Sequence, residues 1–579
     1  MKHPLRAVML LLAALYVLSL DHGLPQRYVP DDHAVRCALG IARDLGEGKV
    51  GLLQALVPPS GQYTTYPYLT PYADLAAIGA TYVGGRLVGS WHGTGEFRER
   101  VLEDPTLAWL PARLVTALLA LLLPLATFRA ARELGHNKAG AALAALLAGS
   151  SLLVVHFAHT ERPWAPMTAF VAATLAMSLR LQRKRQARDV ALAAVCAGLA
   201  TATHPVGALA FGLPALAALL WRPGWRAALL GAGAGLLVAL LVGYPYLLVY
   251  HADTGRGAIA GQLGAENAVD IGGQAFDPTR LSGALAGQVA QSWFGYDPVL
   301  VSLGLIGLLL AARPLRGRGA TLVVLPPLLL ALLFLLYDGS HVRYLMPAAP
   351  FLALGAVETL GRLLAAPVGP RAARAALGAA AVALPLVQAA RLDLLLGRTD
   401  TRTEAAQRLA ALTQPGQLIA LDGYGPPLQA TGASVARWHA LVWASQTEER
   451  ALERAEAGVP EPPEARDVLP LYRFWKFQSC YPSDYLGPGG PTELADFMRA
   501  WDVRWYVQVD RAPAREPRAP VDDFVAAHGT LALELSPTGR TPPREAALPT
   551  EMSFALHDLW AYRRPGPWVR VWRVDGEGR

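Results

Sequence analysis

The chain has 579 residues, 53% of them hydrophobic and only 17% charged, with a mean hydropathy of +0.28. Long uncharged Leu, Ala and Val runs exclude an ordinary soluble protein and fit a polytopic membrane protein, whose length counts spans and loops rather than domains. The net charge of +7 would suit nucleic acid only if the cations formed one patch; they sit in short clusters between apolar runs, so no nucleic-acid partner is expected.

The first element, MKHPLRAVMLLLAALYVLSL, sets Lys2 and Arg6 before a short apolar core. Secretory signals share that pattern, but no convincing small-x-small cleavage site follows, and the segment reads as an uncleaved first span. Next comes YVPDDHAVR (28–36), two adjacent carboxylates in a charge-poor chain, then YTTYPYLTPY (63–72), rich in the Tyr and Pro expected at headgroup level. Apolar runs recur at about 109–128, 139–158, 163–179, 190–221, 227–250, 298–312, 320–337, 344–361 and 375–390.

The loops between these runs differ in charge. RAARELGHNK (129–138), RLQRKRQARD (180–189), WRPGWR (221–226), RPLRGRG (313–319) and VGPRAARAA (368–376) are basic, whereas HTERP (159–163), THP (203–205) and DGSHVR (338–343) carry one Arg or none. Because Lys and Arg concentrate in cytoplasmic loops, the first group is assigned to the cytoplasm and the second to the outside. The run 190–221 has basic loops at both ends, so it must go out and return, turning near His204-Pro205. Residues 68–90 are long enough to cross, but a single crossing would put every later basic loop outside; they are expected to lie in the interface or re-enter. The parity gives about eleven spans with the amino terminus inside and residues 21–108 as a large first outer loop. From about residue 397 the charge rises, and QLIALDG, RWYVQVD, TLALEL and WVRVWRVD read as short strands among helices. The expected architecture is a polytopic α-helical module (1–396) followed by an extracytoplasmic C-terminal α/β domain (397–579).

On this topology Asp31, Asp32, Arg36, Glu161, Arg162, His204, His341, Arg343 and Tyr344 all fall at the outer ends of spans. Ionisable groups at such depth are costly and commonly line a cavity or pathway, although each taken singly also fits a water-wetted interfacial residue. A carboxylate can take the proton from an acceptor as it attacks a sugar carbon. Arg and His can neutralise a phosphate leaving group tethered to a lipid. A sugar carried on a polyprenyl phosphate calls for both.

The chain resembles the membrane glycosyltransferases of the GT-C fold, in particular glycosyltransferase family 39, which includes protein O-mannosyltransferases and lipid A aminoarabinose transferases. The resemblance is carried in order by LPQRYVPDDHAVRCALGIARDLGEG, YTTYPYLTPYADL, PARLVTALLALLLPLATFRAARELG, GLATATHPVGALAFGLP, SHVRYLMPAAPFLALGA and DTRTEAAQRLAALTQPGQLIALDGYGPP, covering residues 1 to about 430. It implies Asp31 in the place of the catalytic base, with Asp32 where the family usually has Glu. Glu161 stands where members often have an acidic residue, usually Asp, and His204 where many have a Lys that helps bind the lipid phosphate. Tyr66 precedes Pro67 where some members have Lys or His. Arg343 and Tyr344 match an Arg-Tyr pair of a late outer loop. With Arg36 and His341, these make the candidate substrate-binding set.

The expected function is transfer of a sugar from a polyprenyl-phosphate donor to a protein or glycolipid acceptor on the outer face of the plasma (inner) membrane. The alternative is a transporter or lipid-linked sugar flippase with no chemistry, although the paired repeats and broken helices common in transporters are not visible. No cofactor is assigned. A divalent metal could draw on Asp31, Asp32, His33 and Glu161, but no two have the spacing of a helix-face ligand pair, and no metal residue is assigned.

Overall fold

The computed structural model describes residues 4–26, 28, 32–48, 50–59, 62–64, 66–250, 269–271, 274–276, 283–312, 318–335, 342–367, 369–422, 425–439, 461, 465–470, 498–499, 501–510, 525, 527–538 and 555–574. Asp31 and His341 lie outside them. Most of the described chain is helix. Among the described residues five helices are long and apolar enough to cross a membrane, six if one bent pair counts as a single span. Pro4–Val17, Pro205–Trp221, Pro298–Ala311 and Gly319–Leu333 are apolar and shorter. Leu10, Leu219, Leu230 and Leu309 point outward, each more than two-thirds exposed. Water would penalise such an outer surface and lipid favours it, so the chain is an integral membrane protein.

Small residues let these helices approach closely. On Pro298–Ala312 a Cβ added at Gly307 would lie 1.8 Å from the Gly355 carbonyl oxygen of Ala349–Ala365. A Cβ at Gly198 would meet the Gly235 carbonyl at 2.2 Å, where Ala187–Thr203 crosses Trp225–Val238. Lipid is as apolar as the helices, so packing at such crossings is what holds them together.

Two irregularities aim the loops that matter. Lys138–Gly149 and Leu152–Ala158 form the bent pair, at 64°. The bend leaves backbone donors without helical partners, and buried Asp297 accepts from the Leu152 N–H at 2.8 Å and from the Ser151 hydroxyl at 2.7 Å. The run 190–221 turns where expected: Ala187–Thr203 ends at His204, and the 3-10 helix Pro205–Phe211 packs back against it before Gly212–Trp221.

In the first loop, His33–Glu47 buries Val35, Cys37, Ala38 and Ile41 against neighbours that include Leu69–Leu87, and stops at Gly48 in the left-handed region at φ 62°. Leu69–Leu87 is the helix formed by the ambiguous stretch 68–90. The tyrosines between them work differently from a lipid-facing surface. Tyr68 and Tyr72 donate to the carbonyls of Pro58 and Leu56, both at 2.9 Å, and Tyr63 donates to Asp44 at 2.8 Å. Their hydroxyls pin the loop onto itself, because a buried phenol needs a partner.

The C-terminal region holds a mixed five-stranded sheet in the order β4-β3-β5-β7-β6, formed by β3 (Leu418–Leu421), β4 (Asp467–Pro470), β5 (Val503–Asp510), β6 (Gly529–Leu535) and β7 (Trp568–Val574). Strand β3 runs parallel to β4 and β5, while β7 is antiparallel to β5 and β6. The alternation in WVRVWRV buries Val569 and Val571 together. A separate two-stranded ribbon pairs β1 (Val269–Ile271) with β2 (Gln274–Phe276).

Candidate active site

Five separate stretches of chain meet in one row of side chains. Trp164 begins the helix Trp164–Lys184 and is 2% exposed. His204, at the hairpin turn, has its ring centroid 4.1 Å from that of Trp164. Beyond His204 lies Tyr66 of the first loop at 5.4 Å, and beyond Tyr66 lies His33 at 5.6 Å. On the other side Tyr344 packs edge-on against Trp164 at 5.0 Å, and the Arg343 guanidinium carbon is 5.6 Å from both the Trp164 and the Tyr344 ring centroids. Arg343 and Tyr344 sit on the 3-10 helix Val342–Ala348, buried at the end of an apolar helix.

Local rules explain each placement. His204 is the N-cap of Pro205–Phe211, and its Nδ1 accepts the Val206 N–H at 3.2 Å. That bond requires Nδ1 to carry no proton, so the proton of the neutral ring sits on Nε2, where it can be donated. Asp32 is the N-cap residue of His33–Glu47 and is wholly buried, its backbone carbonyl accepting the Arg36 N–H at 3.2 Å. A carboxylate at a helix start is favoured by the partial positive charge there. Arg36 lies one turn further along the same helix.

Glu161, three residues before Trp164, makes a different contact. It is fully buried and its Oε2 accepts from Arg113 Nε at 2.9 Å, while Arg113 Nη1 donates to the carbonyls of Leu20 at 3.0 Å and His22 at 2.7 Å. The pair ties the second loop to the end of the first helix. Buried Asp74 lies near enough to feel the Glu161 charge; burial first, then that charge, push its carboxyl well above the usual range. Next to Glu161 in this loop, His159 sets Nε2 2.6 Å from the Leu18 carbonyl and 3.2 Å from Asp393 of the helix Arg371–Leu396.

Of the residues singled out in the sequence, Tyr66, His204, Arg343 and Tyr344 come together, with Asp32 beside His33 at one end of the row. Glu161 pairs with Arg113 through one of its two carboxylate oxygens. Asp31 and His341 fall outside the described residues. Trp164 and His33 complete the row but were not expected to. Trp164 sits inside HTERPW, where an aromatic beside an apolar run has no signal distinct from core. Arg113 did carry a signal, a lone cation in an apolar run. Among the described residues no three His, Cys, Asp or Glu side chains group as a metal would require.

Residues 108–248 match the family model described as dolichyl-phosphate-mannose-protein mannosyltransferase. The match spans Arg113, Glu161, Trp164 and His204, and meets the resemblance carried by the sequence motifs. That family is one of membrane glycosyltransferases, the enzyme class expected from the sequence. No curated protein matches the chain. Among solved structures, the chain is similar to ArnT from Cupriavidus metallidurans in the apo state, at 16% identity and a TM-score of 0.45 over 91% of this chain and 94% of that one. It is similar to the same protein bound to undecaprenyl phosphate, at 16% identity and TM-score 0.43, over 99% and 98%. A third likeness is to the archaeal oligosaccharyltransferase AglB from Archaeoglobus fulgidus with an inhibitory peptide and a dolichol-phosphate, at 13% identity and TM-score 0.45, over 93% and 74%.

Proposed function

We propose that the protein transfers a sugar from a polyprenyl-phosphate donor to a hydroxyl or amine of a protein or glycolipid acceptor, on the outer face of the inner membrane. In this reading the fold is of the GT-C type with eleven spans, the shorter apolar helices crossing with the long ones, and the C-terminal region is an extracytoplasmic domain. Asp31 is the base and Asp32 positions the acceptor. As the acceptor oxygen or nitrogen attacks the anomeric carbon, the bond from that carbon to the phosphate oxygen breaks and its electron pair leaves with the lipid phosphate. The acceptor proton passes to Asp31. Arg343 and the Nε2–H of His204 bind the phosphate as its charge develops, with Tyr66 and Tyr344 beside them. Inversion at the anomeric carbon follows from a single displacement.

The row that joins Tyr66, His204, Tyr344 and Arg343, with His33 at its far end directly following Asp32 in the chain, carries this reading, because phosphate-binding groups and a carboxylate are what such a donor requires. The flippase alternative draws on the bent helix pair found among the described residues, since broken helices mark transport sites. At that break, however, Asp297 already takes up the Leu152 N–H and the Ser151 hydroxyl. Incubation of purified protein with a panel of polyprenyl-phosphate sugars tests the choice. Release of polyprenyl phosphate is expected; movement of intact donor across a vesicle, with no release, overturns the transferase reading.

A further inference from the structure

Among the described residues, the C-terminal region meets the first loop at a buried junction. Asp400 caps the helix Thr401–Leu412, its Oδ1 accepting the Arg402 N–H at 2.8 Å. The same carboxylate binds the Arg402 side chain twice, from Nε at 2.9 Å and from Nη2 at 2.7 Å. Both residues are about 5% exposed or less. Held flat by that fork, the guanidinium lies over the ring of Tyr28, 3.8 Å from its centroid, and the Tyr28 hydroxyl bonds Thr403 Oγ1 at 2.7 Å. Tyr28 precedes Asp32 by four residues.

The far side of the junction is equally determined. The Thr401 N–H donates to Pro565 at 3.0 Å and its hydroxyl to Pro567 at 2.6 Å, at the entry to β7. Gly566 between them has φ +100°, and a Cβ there would sit 2.4 Å from Asp400 Oδ1. On the loop side, a Cβ at Gly23 would reach 2.7 Å from the Tyr28 ring. Burying a charged pair is a poor way to gain stability, since desolvation offsets most of the attraction. What the fork and the stacked ring supply is orientation.

We infer that Arg402 is a positioning residue: it fixes Tyr28, four residues before Asp32 in the first loop, which makes the C-terminal region part of the transfer apparatus. The role rests on the proposed function of that loop. A merely structural junction would hold two regions together without affecting the chemistry.

The test compares full-length wild type with Arg402→Lys, Tyr28→Ala and Tyr28→Phe. Lys keeps the charge but not the planar fork; Phe keeps the ring under the guanidinium. Amide exchange over residues 20–36 should quicken in Arg402→Lys and Tyr28→Ala and not elsewhere in the helical module. Turnover of the polyprenyl-phosphate sugar panel should fall between about 10- and 100-fold for these two, as a misplaced reacting group requires. Binding of undecaprenyl phosphate should stay within about twofold of wild type, since the phosphate residues are untouched, and Tyr28→Phe should retain most of the turnover. Unchanged exchange over 20–36, or loosened exchange with full turnover, overturns the inference; so does a loss of undecaprenyl phosphate binding equal to the loss of turnover. If wild type itself releases no lipid phosphate, the transferase reading fails, and the exchange arm alone still decides whether Arg402 orders the loop.

Discussion

At the scale of single residues, the proposed roles differ in what each side chain can supply. A base must be ionised, and Asn is nearly isosteric with Asp but takes up no proton. Asp31→Asn is therefore expected to lose on the order of 100-fold in turnover with donor binding retained, and Asp32→Asn to lose less; equal full activity in both would remove the carboxylates from the chemistry. Arg343 offers a planar fork near two ring faces, whereas Lys offers a charge alone. Arg343→Lys should weaken the apparent donor constant about tenfold or more and lower turnover less. An Arg343 that only anchors its helix would leave the kinetics unchanged and reduce the yield of folded protein. At His204 the resemblance would have a Lys, yet the structure gives this position a second duty, capping the turn through Nδ1. His204→Asn can still cap, since its side-chain oxygen replaces Nδ1, but it loses the contact with Trp164. That variant should fold like wild type and bind undecaprenyl phosphate more weakly. His204→Lys forfeits the cap and should be less stable. Wild-type affinity in a folded His204→Asn protein would confine the residue to the turn.

Among the elements, what could be read from the sequence depended on whether a stretch carried its own signal. Each of the four stretches expected as strands contains one, because alternating or β-branched runs bounded by turns are local features. The turn at His204-Pro205 followed from charges at both ends of 190–221, a constraint that needs no knowledge of packing. The row through Trp164 could not be read, because it depends on which helices touch, and the glycines that set those contacts look alike in the sequence. Gly307 and Gly361 separate the cases. Gly307 meets the Gly355 carbonyl directly, whereas a Cβ at Gly361, inside Ala349–Ala365, meets nothing within 4 Å. Gly307→Ala must push two helices apart and should cost at least about 1–3 kcal/mol. Gly361→Ala should be neutral or stabilise by up to about 1 kcal/mol through the unfolded chain and helix propensity. Thermal unfolding of the two variants in one detergent checks the contrast, and similar midpoints would mean that the crossing is not as close as the glycines imply.

For the whole molecule, the proposed chemistry stands or falls with orientation, because a lipid phosphate binds on one side of a membrane and the acceptor must be there too. The helices alone do not choose a side; the charges of the loops do. Arg180–Asp189 illustrates the difference: within the basic loop 180–189 the Asp189 carboxylate is buried and pairs with Arg180 at 3.0 Å, which holds two helix ends together yet is indifferent to which compartment they face. The row at the other ends of these helices, Trp164 and His204, is separated from that loop by the length of the helices Trp164–Lys184 and Ala187–Thr203. At a rise of about 1.5 Å per residue those helices are long enough to set the two groups on opposite sides of most of a bilayer. A cysteine placed at Arg185 should therefore resist an impermeant thiol reagent in intact cells and react only once the membrane is opened. A cysteine at Ser340, two residues before the 3-10 helix that carries Arg343, should react in intact cells. Both must be made in a background in which Cys37, Cys196 and Cys480 are replaced, so that every adduct reports one site. Labelling in the opposite sense would put Arg343 and His204 on the cytoplasmic side and require a donor and an acceptor presented there instead.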